Sequence, residues 1–302
     1  MDFRPKVASS DPSFTCEFRS EFRLRVQIRD KSPKIHYLAL CRFLPSYRHR
    51  HSHASSKNVK TRRIHVATMG FAVLPALIPD IPKVYDVYFA AFKADPMGEI
   101  MLDILFPGGI TEEFRKAHSE GTLGFWHTSQ SQYTWKCVDT NTDDIVGMGL
   151  ADVYLKERTE EERKNPGISW LEGEAKERAE NIINPLWEMK EKLWGGRRYI
   201  YCHVIGVDPK HQGRKAGAAL VRWGIDLSEQ TGLPVYFEAS PSTVKMYEKM
   251  GFETLKETIV HRAEDLGIKE DIAVPLMVRM PSCAGGQTFE EWRAKGYPAW
   301  SG

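Results

Sequence analysis

The chain has 302 residues, 42% hydrophobic and 27% charged, enough to bury one large core or two small ones. Its formal net charge of +2 hides a division: residues 1–68 carry 15 Lys and Arg against 5 Asp and Glu, and the remaining residues carry 27 against 35. No apolar run reaches the roughly 18 residues of a membrane span, and five scattered cysteines without a CxxC argue against a disulfide framework or zinc site, favouring a reducing, cytoplasmic setting.

Residues 1–68 are rich in Arg, Lys, Ser and His, and SYRHRHSHASSK is poor in apolar residues. The segment reads as a mostly disordered basic leader. Its Arg and Ser content suits a mitochondrial transit peptide, but Asp2, Asp11, Glu17, Glu21 and Asp30 count against one. A nucleic-acid-binding arm lacks a folded reader module, so nucleic acid is not the expected partner. The simplest reading is an incidental extension before a chain that effectively begins near Met69. On such a tract His49, His51 and His53 read as solvated rather than as metal ligands, and no metal is expected.

From Met69 the texture changes. GFAVLPA predicts a strand, IPDIPKVYDVYFAAFKAD an amphipathic helix, GEIMLDILFPGG a second helix and ITEEFRKAHSEG a third. YTWKCVD and DIVGMGLADVYL flank the polar turn TNTD as a β-hairpin. Residues 155–198 read as a charged helical insertion, with Ile183, Leu186, Trp187, Leu193 and Trp194 at helical spacing and a stop at Gly195-Gly196. RYIYCHVIGV is a strand, AGAALVRWGIDLSEQTG a helix ended by Gly232, LPVYFEAS a strand and SPSTVKMYEKMGF a short helix. ETLKETIV and AVPLMVRM are the last strands, and Thr288 with Glu291 predicts a capping box in the tail, residues 282–302. The order is mixed α/β, with antiparallel strands early and a strand–helix–strand unit in the middle.

The stretch VDPKHQGRKAGAALV joins that middle strand to its helix. A helix start leaves its first N–H groups unsatisfied, and the helix dipole adds partial positive charge. Arg214 and Lys215 add full charges, while Gly213, Ala216 and Gly217 let a ligand approach the backbone. This is an anion site, suited to a diphosphate, and it is neither a GxxxxGK[ST] loop nor a GxGxxG turn.

Val207, Pro209, Gln212 and Gly217 reproduce V-x-P…Q-x-x-G-x-G/A, and Tyr247, Lys249, Gly251 and Phe252 reproduce the end of N-x-x-A-x-x-L-Y-x-K-x-G-F. In this order, one strand apart, the two motifs resemble those of the GCN5-related N-acetyltransferase (GNAT) superfamily. Lys215 stands where that pattern has glycine, Ser240 where it has asparagine, Thr243 where it has alanine and Met246 where it has leucine. Residues 69–281 fit the family in element order, though only 199–253 match by motif; the leader and the insertion lie outside it.

The resemblance implies a mixed central sheet flanked by helices, acetyl-CoA as co-substrate, and acetyl transfer to an amine, most simply a small molecule, within a ternary complex. Ile205, Gly206 and Val207 would run beside the pantetheine arm; Gln212 to Gly217 would hold the diphosphate, and Ser240 is a further candidate cofactor contact. Tyr247 corresponds to a family tyrosine near the thioester sulfur, a general acid; otherwise it is a packed core tyrosine. His203 is one candidate base, since some members carry histidines at the positions matching Tyr201 and His203; Glu238 is the other. Strand alternation would put Tyr199, Tyr201, His203, Ile205 and Val207 on one face and Cys202 and Val204 on the other, with Cys202 an improbable nucleophile. Trp170, Trp187 and Trp194 are candidate acceptor-pocket walls. The rival readings are an O-acyltransferase on the same fold, a non-catalytic acyl-CoA-binding or regulatory protein, and a nucleic-acid-associated protein using the leader.

Overall fold

The computed structural model describes residues 70–300. The leader and its histidines lie outside the described residues. The seven strands are β1 (Phe71–Pro75), β2 (Gln132–Asp139), β3 (Ile145–Val153), β4 (Ile200–Val207), β5 (Val235–Glu238), β6 (Glu253–His261) and β7 (Ile272–Arg279). They form one sheet in the order β1-β2-β3-β4-β5-β7-β6. Every neighbouring pair is antiparallel except β4 and β5, which are parallel. That parallel pair is the strand–helix–strand unit, its crossover being α5 (Ala216–Thr231).

Local chemistry sets the helix ends. Helix α1 (Ile81–Lys93) buries Ile81, Val84, Tyr85, Val87 and Phe89, close to the expected stripe. Asp95 accepts hydrogen bonds from the amides of Met97 and Gly98 and so starts α2 (Pro96–Leu105). Thr111 caps α3 (Glu112–Thr128), which runs on past the expected ITEEFRKAHSEG. The insertion is helical only in α4 (Gly173–Trp194); the residues before it are irregular apart from a single 3-10 turn, Glu161–Arg163. Short helices α6 (Val244–Glu248), α7 (Ala263–Leu266) and α8 (Phe289–Ala294) complete the chain, α7 being unexpected.

The sheet separates two apolar layers. On one face α5 packs against Trp135, Ala151, Ile200, Val235 and Phe237, with Tyr247 of α6 in the same cluster. On the other, Tyr199, Tyr201 and Tyr236 meet Leu193 and Trp194 of α4, together with Phe289 and Trp292 of α8. The C-terminal segment is thus part of this layer. Its expected Thr288–Glu291 capping box is present, and the Trp300 Nε1–H donates to the Gly232 carbonyl at 2.7 Å. Phe289 is fully buried against Trp194, with ring centroids 5.0 Å apart. Phe289→Ala should therefore cost about 3–5 kcal/mol, lowering the melting midpoint by on the order of 10 °C; a calorimetric scan checks this, and an unchanged midpoint would mean the tail is dispensable.

Two irregularities in β4 position everything that follows. Leu150 lies opposite Val204 and Ala151 opposite Cys202, so His203 is an extra residue, a β-bulge. The bulge corrects the simple alternation. Ile205 and Val207 pack on the α5 face with Cys202, whereas Val204 faces Val84 and Val87 of α1. The second irregularity is that β4 and β5 pair only at Ile200–Val235 and Tyr201–Tyr236. Beyond that rung the strands part, and β5 continues on β7 alone.

Candidate active site

The cleft between the parted strands opens directly onto the loop that begins α5. None of the amides from Gly213 to Ala218 donates to a protein acceptor among the described residues; the first helical bond runs from the Ala219 amide to the Lys215 carbonyl. Six consecutive free N–H groups at a helix start form a concave anion site. The Gln212 side chain ties the loop to the end of β4 by donating to the Val207 carbonyl at 3.3 Å. Gly213 has φ +73°, and Lys215 has φ +74° at the helix N-cap. A lysine thus occupies a left-handed position where the family pattern has glycine. A Cβ on Gly217 would meet only Val207 Cγ2, at 3.6 Å, so this glycine keeps the amides accessible rather than relieving a clash. Gly206 faces the other way, toward Ala91 of α1.

Arg214 behaves differently from Lys215. Its guanidinium pairs with buried Asp139 at 2.6 Å and contacts His211 Nδ1 at 2.9 Å. Its charge is therefore largely spent inside the fold, where it anchors the loop to the end of β2. Lys215 makes no ion pair among the described residues, leaving it as the loop's available cation. Ser240, just past β5, contacts Ser242 Oγ at 3.1 Å and caps the turn into α6 with its carbonyl.

At the mouth of the cleft, each strand presents its candidate base two residues past the last paired rung: His203 after Tyr201, and Glu238 after Tyr236. Glu238 accepts hydrogen bonds from both phenols, Tyr201 at 2.9 Å and Tyr236 at 2.8 Å. Burial pushes its carboxyl above the ordinary range, against the pull of those bonds and of Lys190. His203 Nε2 lies 2.8 Å from Asp152 Oδ2, and the Tyr201 ring is 4.4 Å away, edge to face. Burial raises the Asp152 carboxyl, but the hydrogen bond and charge of His203, with the Ser131 and Tyr154 hydroxyls, outweigh it and hold the group at about 2. The two candidates thus flank Tyr201, whose hydroxyl donates to Glu238 and whose ring meets His203 edge to face.

Tyr247 lies on the opposite, α5 side of the sheet. Its ring packs on Phe237 and Phe252 at 4.6 and 5.6 Å. Burial, chiefly, raises its hydroxyl pKa well above the ordinary phenol value, so it stays protonated. Its hydroxyl makes no hydrogen bond among the described residues. Cys202 shares this face, opposite Tyr199 and Tyr201 as alternation assigned it; what disqualifies it as a nucleophile is burial, which pushes its thiol up to about 12. The apolar cavity beside Cys202 and Tyr247 holds about 30 Å³, one water's worth, and is too small for a substrate.

Of the three tryptophans, Trp194 is core, stacked on Tyr199 at 4.4 Å, and Trp170 donates to the Leu105 carbonyl in a separate cluster. Trp187 lies beneath the Lys190 ammonium. Sequence reasoning missed Asp152, Tyr236 and Lys190. Lys190 had a signal: it lies four residues after Leu186 and three before Leu193, on the buried stripe of α4.

A mixed sheet whose parallel strands part after two paired positions, with a free amide array at one end and a carboxylate and a histidine at its mouth, defines an acyltransferase. The chain belongs to the acetyltransferase (GNAT) family, whose profile it matches over residues 103–252. It is 34% identical over 143 residues to "Probable acyltransferase SID5" of Ajellomyces capsulatus, a match covering 47% of this chain and 99% of that protein. Two solved structures share the fold: a mosquito arylalkylamine N-acetyltransferase like 5b (16% identity, TM-score 0.50) and a Drosophila melanogaster polyamine N acetyltransferase (13% identity, TM-score 0.50). Each match covers 70% of this chain and all of the other. Among the described residues no helix is long and apolar enough to cross a membrane.

Proposed function

We propose that the protein is an acyl-CoA-dependent N-acyltransferase that moves an acetyl group from acetyl-CoA to the amine of a small molecule by direct attack in a ternary complex. The parting of β4 from β5 carries this reading. In its support, the free amides lie on the loop that follows β4, and Glu238, held by the Tyr201 hydroxyl, lies just past the last paired position of β5. Structural relatives named for arylalkylamine and polyamine acetylation support an amine acceptor.

The residues fit a CoA thioester: the amides of Gly213 to Ala218 and the Lys215 ammonium would take its diphosphate, and the stretch from Ile205 to Val207, paired with β3 but not with β5, would flank its arm. Bound there, acetyl-CoA supplies an activated acyl group. The protein's part is to move protons. An amine near its ordinary pKa of about 10.4 must lose one before it attacks, and Glu238 takes it at the mouth of the cleft. The His203–Asp152 pair, half-open to solvent, passes it out. As the C–N bond forms and the C–S bond breaks, Tyr247 gives its proton to the departing sulfur.

Acetyl-CoA consumption over a panel of small amines and alcohols, with products read by mass spectrometry, tests the reading. N-acetylated product is expected. Tight CoA binding with no transfer to any amine would establish a binding protein instead, and ester products an O-acyltransferase.

Lys215 gives two opposite readouts. Lys215→Glu should weaken CoA binding by about tenfold or more, since like charge beside a diphosphate costs about 1–2 kcal/mol. Lys215→Gly should raise thermal stability by about 1 kcal/mol, because a left-handed backbone costs an L-residue about that much. Calorimetric affinity unmoved by Lys215→Glu would remove the loop from the CoA site.

A further inference from the structure

The polar network around Glu238 is complete for its carboxylates and incomplete for its cations. Both Glu238 oxygens are occupied, Oε2 by Tyr201 and Oε1 by Tyr236. Asp152 accepts from Ser131, Tyr154 and His203. Lys190 is the reverse. It is only 9% exposed, its ammonium lies 3.8 Å from the Trp187 ring centre and 4.3 Å from that of Tyr201, and among the described residues it has no hydrogen-bond acceptor and no carboxylate within 4.0 Å. Arg158, whose guanidinium lies 3.6 Å from the Tyr154 ring centre, also has a buried Nε without an acceptor.

Aromatic faces attract a cation but do not satisfy its N–H donors. The Lys190 Nζ is not sealed from solvent as the Arg158 Nε is, so its donors are open to a ligand. The unmet demand on the α4 side of the cleft is therefore for an anion. We infer that the acceptor amine carries a carboxylate on the same molecule, and that Lys190 binds this carboxylate while the amine faces Glu238.

A monoanion suits the site better than a phosphate. Glu238 and Asp152 already place two carboxyl groups in the field of Lys190, so a dianion would meet repulsion that one ammonium cannot offset. The acceptor would then be amino-acid-like: its amine attacks, its carboxylate gives register. Burial lowers the Lys190 ammonium to about 8, with Arg158 also lowering it and Glu238 and Asp152 opposing. A bound carboxylate would supply the counter-charge that keeps it protonated.

The inference rests on the N-acyltransferase reading, and matched acceptors separate the two. Ornithine and putrescine, and lysine and cadaverine, differ only by the carboxylate. With the full chain and saturating acetyl-CoA, kcat/KM for each amino acid should exceed that of its diamine by about 10²-fold, mostly through KM, on the scale of a buried charge-assisted contact. Lys190→Met should collapse that preference toward unity, with both acceptors also losing rate near neutral pH because Glu238 loses the charge that holds its carboxyl down, while CoA affinity stays put. Wild-type discrimination needs no variant, so a poorly folding Lys190→Met leaves the test intact. Diamines acetylated as well as the amino acids would overturn the inference and leave the N-acyltransferase reading standing. A Lys190→Met variant that lowers both classes equally would make Lys190 a structural residue. CoA binding without transfer to any of the four would overturn the inference, and failure across the whole amine panel the N-acyltransferase reading as well.

Discussion

Tyr247→Phe is expected to lower kcat by roughly 10²-fold or more, the usual range for losing a general acid, while CoA affinity moves little. The side chain is almost fully buried between Phe237 and Phe252, and phenylalanine keeps that packing. The hydroxyl supports no hydrogen bond within the protein among the described residues, so its removal breaks no internal contact. What is lost is a proton donor whose pKa, raised by burial, keeps it loaded across the working pH range. A donor needed only as the C–S bond breaks acts in the transition state and not in the ground state, so the loss falls on kcat. The pH profile adds a second reading: because this donor stays protonated across the working range, Tyr247→Phe should lower kcat at every pH without shifting the limbs of the profile. Wild-type turnover in Tyr247→Phe would reduce this tyrosine to core packing, leaving the thiolate to depart unaided.

Glu238→Gln should lower kcat/KM by about 10²–10⁴-fold near neutral pH. A base works only when deprotonated, so wild-type activity should rise with pH through the Glu238 pKa, which burial has moved upward. Glutamine cannot take a proton, so the acid limb should disappear and the residual rate should climb at alkaline pH, where the free amine is more abundant. Glutamine retains one oxygen for Tyr201 or Tyr236, limiting structural loss. His203→Ala should cost less, because His203 acts after Glu238 and water can replace an outlet near solvent. The opposite ranking, with Glu238→Gln nearly wild-type and His203→Ala inactive, would transfer the role of base to the His203–Asp152 pair.

Much of this site was legible in the residues, because its signals are local. The Gln212–Gly217 loop lies within one strand–helix junction, and the amides that a helix start leaves free depend only on neighbours along the chain. The same holds for the Thr288–Glu291 capping box, the TNTD hairpin turn and the buried stripe of α1. Other features were not legible. Arg214 reads as a phosphate ligand from its position, yet Asp139, 75 residues earlier, captures it. The Tyr201–Glu238 bond joins residues 37 apart, and His203–Asp152 joins residues 51 apart; no spacing rule links either pair.

By itself the sequence determined the order of the strands and of every helix but the short α7, the two motifs that carry the family, and the residue types at the anion loop. Each of these depends on periodicity, capping or turn chemistry within a few residues. Only the tertiary structure decided the faces and the partners. The bulge at His203 exists because β3 offers one residue fewer than β4 along that stretch, so it reversed the face of Ile205 and Val207 without leaving a mark in β4 itself. The cleft exists because β5 stays with β7 after parting from β4. Lys190 became a buried, unpaired cation because α4 lays it against Tyr201 of another element. Pairing, register and burial are properties of two segments at once, and a single segment cannot encode which partner it will meet.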